Sequence, residues 1–301
     1  MSGEDGIYPN MWNALKSVVR SFGIDTRKVY QTLSAWSVDT AVREQGFAEL
    51  REKLREEIPD LADQYTLDID PVEYARYWET KMRSIHAFQI DSALQAINAL
   101  GRDDLTVVDV GDSSGNHGTY LKALAPAGRI GRMVSVNLDP VAVDKIKAKG
   151  GEAILSRAEA LETHGLQPDM MLLFETLEHI TDPLRFLHTM ATDGNIENIL
   201  LTVPYRVDSR FGGDLIRRAG AVIPDQITPE QVHIFELSPQ DWQLLARLAG
   251  YRTEFCQIYR QYPQRSLGRI MKRVWRKLDF EGFIALSLKR DDTLSTRYTG
   301  W

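Results

Sequence analysis

The chain has one cysteine in 301 residues, which excludes an internal disulfide and any fold that depends on one. Cys256 lies in the apolar stretch TEFCQI and is expected to be a small buried hydrophobe. No apolar run approaches the roughly 18–20 residues of a membrane-spanning helix. The opening MSGEDGIYPNMW lacks the basic-then-apolar layout of a secretory signal, so a cytoplasmic protein is expected. Positive charge is not in excess: 36 Lys and Arg against 42 Asp and Glu give a formal charge of −6. That removes any global electrostatic case for binding DNA. Neither a Gly-Lys-Ser/Thr phosphate loop nor a nicotinamide-type G-x-G-x-x-G occurs at the glycine-rich turn, where the spacing is Gly111, Gly115, Gly118. Internal repeats and low-complexity tracts are also missing.

What is present is a hydrophobic content of 43%, enough for a large core without a structural metal. Residues 1–100 read as a helical cap. Trp12, Leu15, Val18, Val19 and Phe22 recur at helical steps. Phe47–Ile58 is charged and helical. Pro71–Leu100 starts at a favoured first-turn proline and stops at Gly101. This last helix carries Tyr74, Tyr77, Trp78, Lys81, Arg83, His86 and Gln89.

From residue 101 to 301 the texture changes to short apolar runs separated by helical stretches: LTVVDV, MVSVNL, EAIL, DMMLLF, NILLTV, TEFCQI and FIALSL. Such runs predict βαβ units. The fold class is therefore α/β, with a seven-stranded, mostly parallel Rossmann-like sheet covered by helices on both faces. The last connection lacks a long return helix, which points to an antiparallel final pair. Inserts occupy 205–237 and 260–281.

Directly after the first run comes GDSSGNHG, where small residues let the backbone turn sharply and approach a ligand. In open α/β sheets ligands bind beyond the carboxyl ends of the strands. The run resembles motif I of class I methyltransferases, an acidic residue followed by G-x-G-x-G, with Ser113 in place of the middle glycine. DMMLLFETLEHITDPLRFL resembles the E-x-L-E-H-(x)2-D-P segment of small-molecule methyltransferases such as those of ubiquinone biosynthesis. ILLTVPYR and VHIFELSPQDWQLLARLAGYR follow in the family's order.

The resemblance implies S-adenosyl-L-methionine as cofactor, held by Asp109, Gly111, Asp112, Ser113 and Gly115, with Phe174 at the end of the fourth strand. In SVNLDP, Asn137 stands at the family's acidic position and can accept from one ribose hydroxyl and donate to the other; Asp139 is the reserve. In SRAEAL, Arg157 replaces the family's acid, leaving a backbone contact from Ala158 beside adenine. Arg83 or Lys81 is expected to pair with the cofactor's carboxylate.

If FETLEHI turned into a helix, Glu175, Glu178 and His179 would share a face, and His233 belongs to a loop crossing the same sheet edge. Two carboxylates and two imidazoles suit a divalent metal such as Mg2+ or Mn2+. The set resembles the metal-binding E-x-x-E-H plus distant His of small-RNA 3′-end methyltransferases. Catalysis is expected from His179, Glu178 and His233, either through a metal that acidifies an acceptor hydroxyl or with His179 as general base. His117, His164 and His188 are expected to be structural or exposed.

YRVDSRFGGDLIRRAG supplies Arg206, Arg210, Arg217 and Arg218 around a Gly-Gly pair and reads as a basic lid for an anionic acceptor. Residues 265–278 form a basic amphipathic pattern that either packs on the domain or meets a membrane surface or polyanion. The expected activity is O-methylation of a polar or anionic small molecule or glycan sugar. The alternatives are RNA 3′-terminal 2′-O-methylation and a non-catalytic binding protein that keeps the fold.

Overall fold

The structure is a computed structural model and describes residues 25–64, 77–217, 225, 227, 232–265 and 281–301. The helix expected at 11–22, the start of the helix at Pro71 with Tyr74, Arg218, and the basic stretch beyond Arg265 lie outside the described residues.

All seven apolar runs become strands of one sheet: β1 (Leu105–Val110), β2 (Ile130–Asn137), β3 (Glu152–Leu155), β4 (Met170–Phe174), β5 (Asn198–Pro204), β8 (Tyr251–Arg260) and β9 (Gly282–Arg290). Their order is β3-β2-β1-β4-β5-β9-β8. β1 to β5 are parallel, while β9 runs antiparallel to both β5 and β8. The chain winds outward in one direction from β1 through β2 to β3, and in the other through β4 and β5. The crevice between β1 and β4, at their carboxyl ends, is the topological switch point. A separate two-stranded ribbon, β6 (Arg210–Phe211) with β7 (Phe235–Glu236), belongs to the 205–237 insert.

Both sheet faces are covered, and alternate strand residues feed different cores. Val107, Leu172, Leu200 and Ala285 pack with Phe88, Ile90 and Leu54. Their neighbours Val108, Leu173, Leu201 and Ile284 pack with Phe186 and Trp242. The first core is closed by the helical cap, α1 (Thr26–Glu44), α2 (Ala48–Glu57) and α3 (Glu79–Ala99), together with α4 (Asn116–Leu124). The second lies under α6 (Pro183–Thr192) and α8 (Pro239–Ala249).

The helix starts follow from local chemistry. Asp139, Asp182 and Ser238 each cap a helix whose first residue is proline: α5 (Pro140–Ala148), α6 and α8. Each cap oxygen accepts from a first-turn N–H, worth about 1 kcal/mol.

Cys256 corrects the sequence expectation: it is exposed. β8 is an edge strand, and its alternating burial leaves Cys256 on an uncovered side. No helix among the described residues is long and apolar enough to cross a membrane.

Candidate active site

Gly111 and Gly115 take positive φ values of 88° and 77°, in the left-handed region that glycine enters without penalty. A Cβ at Gly111 would stand 2.6 Å from the Thr176 hydroxyl oxygen, so the loop after β1 and the turn after β4 are in close packing. The loop is braced from within. Asp112 Oδ1 accepts from the N–H groups of Ser114 and Gly115 at 3.1 and 2.9 Å, and its Oδ2 accepts from the Ser135 hydroxyl at 2.6 Å. The Asn137 amide donates to the Asp112 carbonyl at 2.8 Å, and Asn137 Oδ1 accepts from the Asp139 N–H at 2.8 Å. Ser113 donates to the Gln64 carbonyl at 2.9 Å, tying the loop to the cap.

Two expectations change accordingly. Asp112 is buried with both carboxylate oxygens engaged inside the loop, so its side chain shapes the loop. Asp109 is also buried and bonds through Oδ2 to His117 Nδ1 at 2.9 Å. Burial pushes the Asp109 carboxyl up to about 6, against the pull of His117. The charge and hydrogen bond of Asp109 raise His117 in spite of its burial. Asp109 therefore meets a histidine from α4, a partnership the linear motif does not reveal.

Arg83 is the clearest correction. It is fully buried, pairs with Glu79 at 2.6 Å, and donates to the carbonyls of Leu54, Ile58 and Pro59. Its guanidinium closes the end of α2 and has no part in holding a cofactor carboxylate. Replacing Arg83 with methionine is expected to destabilise the protein by about 3 kcal/mol, because the carbonyls of Ile58 and Pro59 lose this donor and Leu54 and Glu79 keep only Ile58 N–H and Arg55. Urea denaturation measures this directly, and an unchanged midpoint would refute the assignment. Lys81 is likewise buried, near the rings of Tyr77 and Trp78. His86 and Gln89 are buried on α3, and the Gln89 amide donates to Thr202 Oγ1 at 3.0 Å.

The turn after β4 differs from the expected helix. Glu175 has φ of 49°, and Leu177–His179 makes a single 3-10 turn. The left-handed residue breaks the helical face that Glu175 was expected to share. Three of the four expected ligands converge: ligand atoms of Glu178, His179 and His233 lie within 4.8 Å of one another, and Glu175 is not among them. His179 Nε2 is 3.7 Å from Glu178 Oε1, and the two histidine rings meet edge to face at 4.9 Å.

Glu178 is fully buried, and among the described residues no backbone or side-chain N–H reaches its carboxylate oxygens, the Glu175 carboxyl being its neighbour. Burial pushes the Glu175 carboxyl up to about 8. Burial, with the charge of Glu175, pushes Glu178 well above the carboxylate range. The cluster of Asp109, Asp112 and His117 is also compact, but there the carboxylates already have partners.

His233 arrives on the insert, and backbone bonds fasten the insert to the turn. The Ile234 N–H donates to the Glu178 carbonyl at 2.8 Å, and His179 Nδ1 donates to the Val232 carbonyl at 2.9 Å. Gly212 and Gly213 donate across the ribbon to Ile234 and His233 carbonyls, both at 2.7 Å, so the Gly-Gly pair is stitched in place. Two arginines of the insert, Arg206 and Arg210, face a buried carboxylate. Arg210 donates to Glu236 at 2.6 Å, Arg206 lies 3.6 Å from the same carboxylate, and Arg217 donates to the Phe211 carbonyl. Arg206 and Arg210 balance Glu236, which withdraws their support for an anionic acceptor. Glu236 itself was not singled out in the sequence; only its three-residue spacing from His233 hints at a link.

His188 stacks on Trp301 and bonds to the Ala249 carbonyl, as expected of a structural histidine.

No family model matches the chain, and no curated protein does. Among solved structures, it is similar to a Burkholderia thailandensis 1,6-didemethyltoxoflavin N1-methyltransferase with bound S-adenosylhomocysteine, at 14% identity, 76% of this chain, 93% of that one and a TM-score of 0.45. An S-adenosylmethionine-dependent methyltransferase from Mesorhizobium loti gives 12% identity, 67% and 100% coverage and a TM-score of 0.43. The [4+2]-cyclase SpnF gives 13% identity, 67% and 81% coverage and a TM-score of 0.43.

Proposed function

We propose that the chain is an S-adenosyl-L-methionine-dependent methyltransferase that acts on a hydroxyl of a polar small molecule or glycan sugar, with a divalent metal such as Mg2+ or Mn2+. The observation that carries this reading is a fully buried carboxylate that no N–H donor among the described residues reaches, Glu178, converging with His179 and His233 at the carboxyl end of β4 beside the Gly111 turn. Those orphaned oxygens fit a cation, because a buried charge needs a paired or coordinating partner. When bound, the cation supplies the Lewis acidity that lowers the pKa of an acceptor hydroxyl. The residues contribute the geometry: Glu178, His179 and His233 would hold the cation and so orient an acceptor beside the loop.

The switch-point crevice supports the cofactor assignment. The backbone of Gly111, Ser113 and Gly115 offers close approach, and Asn137 or Asp139 stands at the end of β2 for the ribose. Leu138 and Leu155 are 63% and 53% exposed at neighbouring strand ends, an apolar surface suited to a flat base.

Calorimetric titration with S-adenosyl-L-methionine tests this assignment. One equivalent is expected to bind, and no heat at high protein concentration overturns the catalytic reading. Gly111→Val is expected to weaken binding about tenfold or more, with the fold verified by circular dichroism.

A further inference from the structure

The unexplained feature of the insert is the charge arrangement behind His233. Glu236 is almost completely buried, and it accepts from His233 Nδ1 at 3.1 Å through Oε1 and from Arg210 Nε at 2.6 Å through Oε2. Arg206 Nε approaches that second oxygen at 3.6 Å. We infer that Glu236 is the positioning residue of the metal site: it anchors His233 through Nδ1 so that the ring coordinates through Nε2, and Arg210 anchors Glu236 in turn. The inference rests on the metal reading given above.

The physical argument has three steps. A ligating imidazole works best when its other ring nitrogen donates to a carboxylate or a carbonyl, which fixes tautomer and orientation and strengthens the ligand. The two histidines here each have such an acceptor, the Val232 carbonyl for His179 and the Glu236 carboxylate for His233. The second is the stronger support, being charged. The buried Glu236 carboxylate is held in turn by Arg210, whose Nε donates to its second oxygen at 2.6 Å.

Location adds a consequence. Arg210 lies on β6 and Glu236 on β7, so the ion pair spans the ribbon and ties its closure to the placement of His233. Loading of the site and pairing of β6 with β7 are thus linked, as expected when metal binding is coupled to folding.

The test uses Co2+ alone, titrated into the full chain and followed by calorimetry and by its visible absorption bands. Glu236→Ala is expected to weaken Co2+ binding about 10–100-fold, and Glu236→Gln, which retains an acceptor without the charge, should fall between Ala and wild type with shifted bands. Arg217→Ala is the ribbon control, since Arg217 supports the Phe211 carbonyl and not Glu236; it should bind Co2+ like wild type. If Glu236→Ala fails to fold by circular dichroism, Glu236→Gln decides. Wild-type affinity and spectrum in the Glu236 variants would overturn the inference while leaving the metal reading intact. Equal loss in Arg217→Ala would also overturn it, by showing that ribbon integrity alone matters. A wild-type protein that takes up no Co2+ would refute the metal reading and this inference with it.

Discussion

Glu178→Gln is expected to lower Mn2+ affinity about a thousandfold, or about 4 kcal/mol, while raising the melting temperature of the metal-free protein at pH 8. The two effects have one cause. Glu178 has no exposure, and among the described residues no N–H donor reaches either carboxylate oxygen. Burial, reinforced by the charge of Glu175, penalises its ionised form. Such a group is costly in the empty protein and useful only when a cation compensates it. Glutamine keeps the volume but removes the charge, so the cost vanishes together with the ligand. Relief of about 1–2 kcal/mol corresponds to several degrees in Tm. Electron paramagnetic resonance of free Mn2+ reports affinity, and thermal melts in chelator report stability. A variant that bound Mn2+ like wild type would remove Glu178 from the site. A variant less stable than wild type at pH 8 would mean that the carboxylate has a structural partner.

This coupling of functional gain to structural cost was only partly legible in the sequence. The strands were, because buried parallel strands read as unbroken apolar runs such as MMLLF and ILLTV, and Asp-Pro and Ser-Pro pairs announced the starts of α5, α6 and α8. The meeting of His179 with His233 was readable through the family's order, since 53 intervening residues carry no local signal of contact. The form of the turn was not. Glu175, Glu178 and His179 fit helical spacing, yet the left-handed backbone at Glu175 breaks the shared face, and its carboxyl stays beside Glu178 without joining the ligand atoms of the two histidines. Nor can a sequence assign a partner to a lone charge. Arg83 looked like an anion clamp and instead closes α2, and Arg206 and Arg210, read as part of a lid for an anion, face Glu236. Both errors arise because an arginine's partners are set by tertiary packing, which spacing along one helix or loop does not encode. Asp109 is the converse case: its position in the motif was readable, but its bond to His117 depends on the angle at which α4 leaves the loop.

The same buried groups set a direction for stability against pH. In the unfolded chain the carboxyls of Glu175 and Glu178 titrate near 4.5 and His117 near 6.5. In the folded protein Glu175 titrates at about 8, Glu178 well above its ordinary range, and His117 above its own. For all three, the folded state binds protons that the unfolded state has released, so stability falls as pH rises through that window. Below pH 6.5 opposing groups intervene. The buried neutral His86 has its pKa lowered by burial, so its contribution is lost as pH falls. Glu236, held at about 2, contributes stability above its unfolded value that is lost on further acidification. Above pH 6.5 these two no longer change, and the raised groups act together. The metal-free protein is therefore expected to lose stability between pH 6.5 and 8, at up to about 1.4 kcal/mol per pH unit for each proton involved. Urea denaturation in chelator across that interval measures the slope, and Glu178→Gln should flatten it. Saturating Mn2+ should reverse the trend, because metal and protons compete for the same ligands and the metal's stabilisation grows as the protons leave. A metal-free protein whose stability rose from pH 6.5 to 8 would refute the buried, donor-poor state assigned to Glu175 and Glu178.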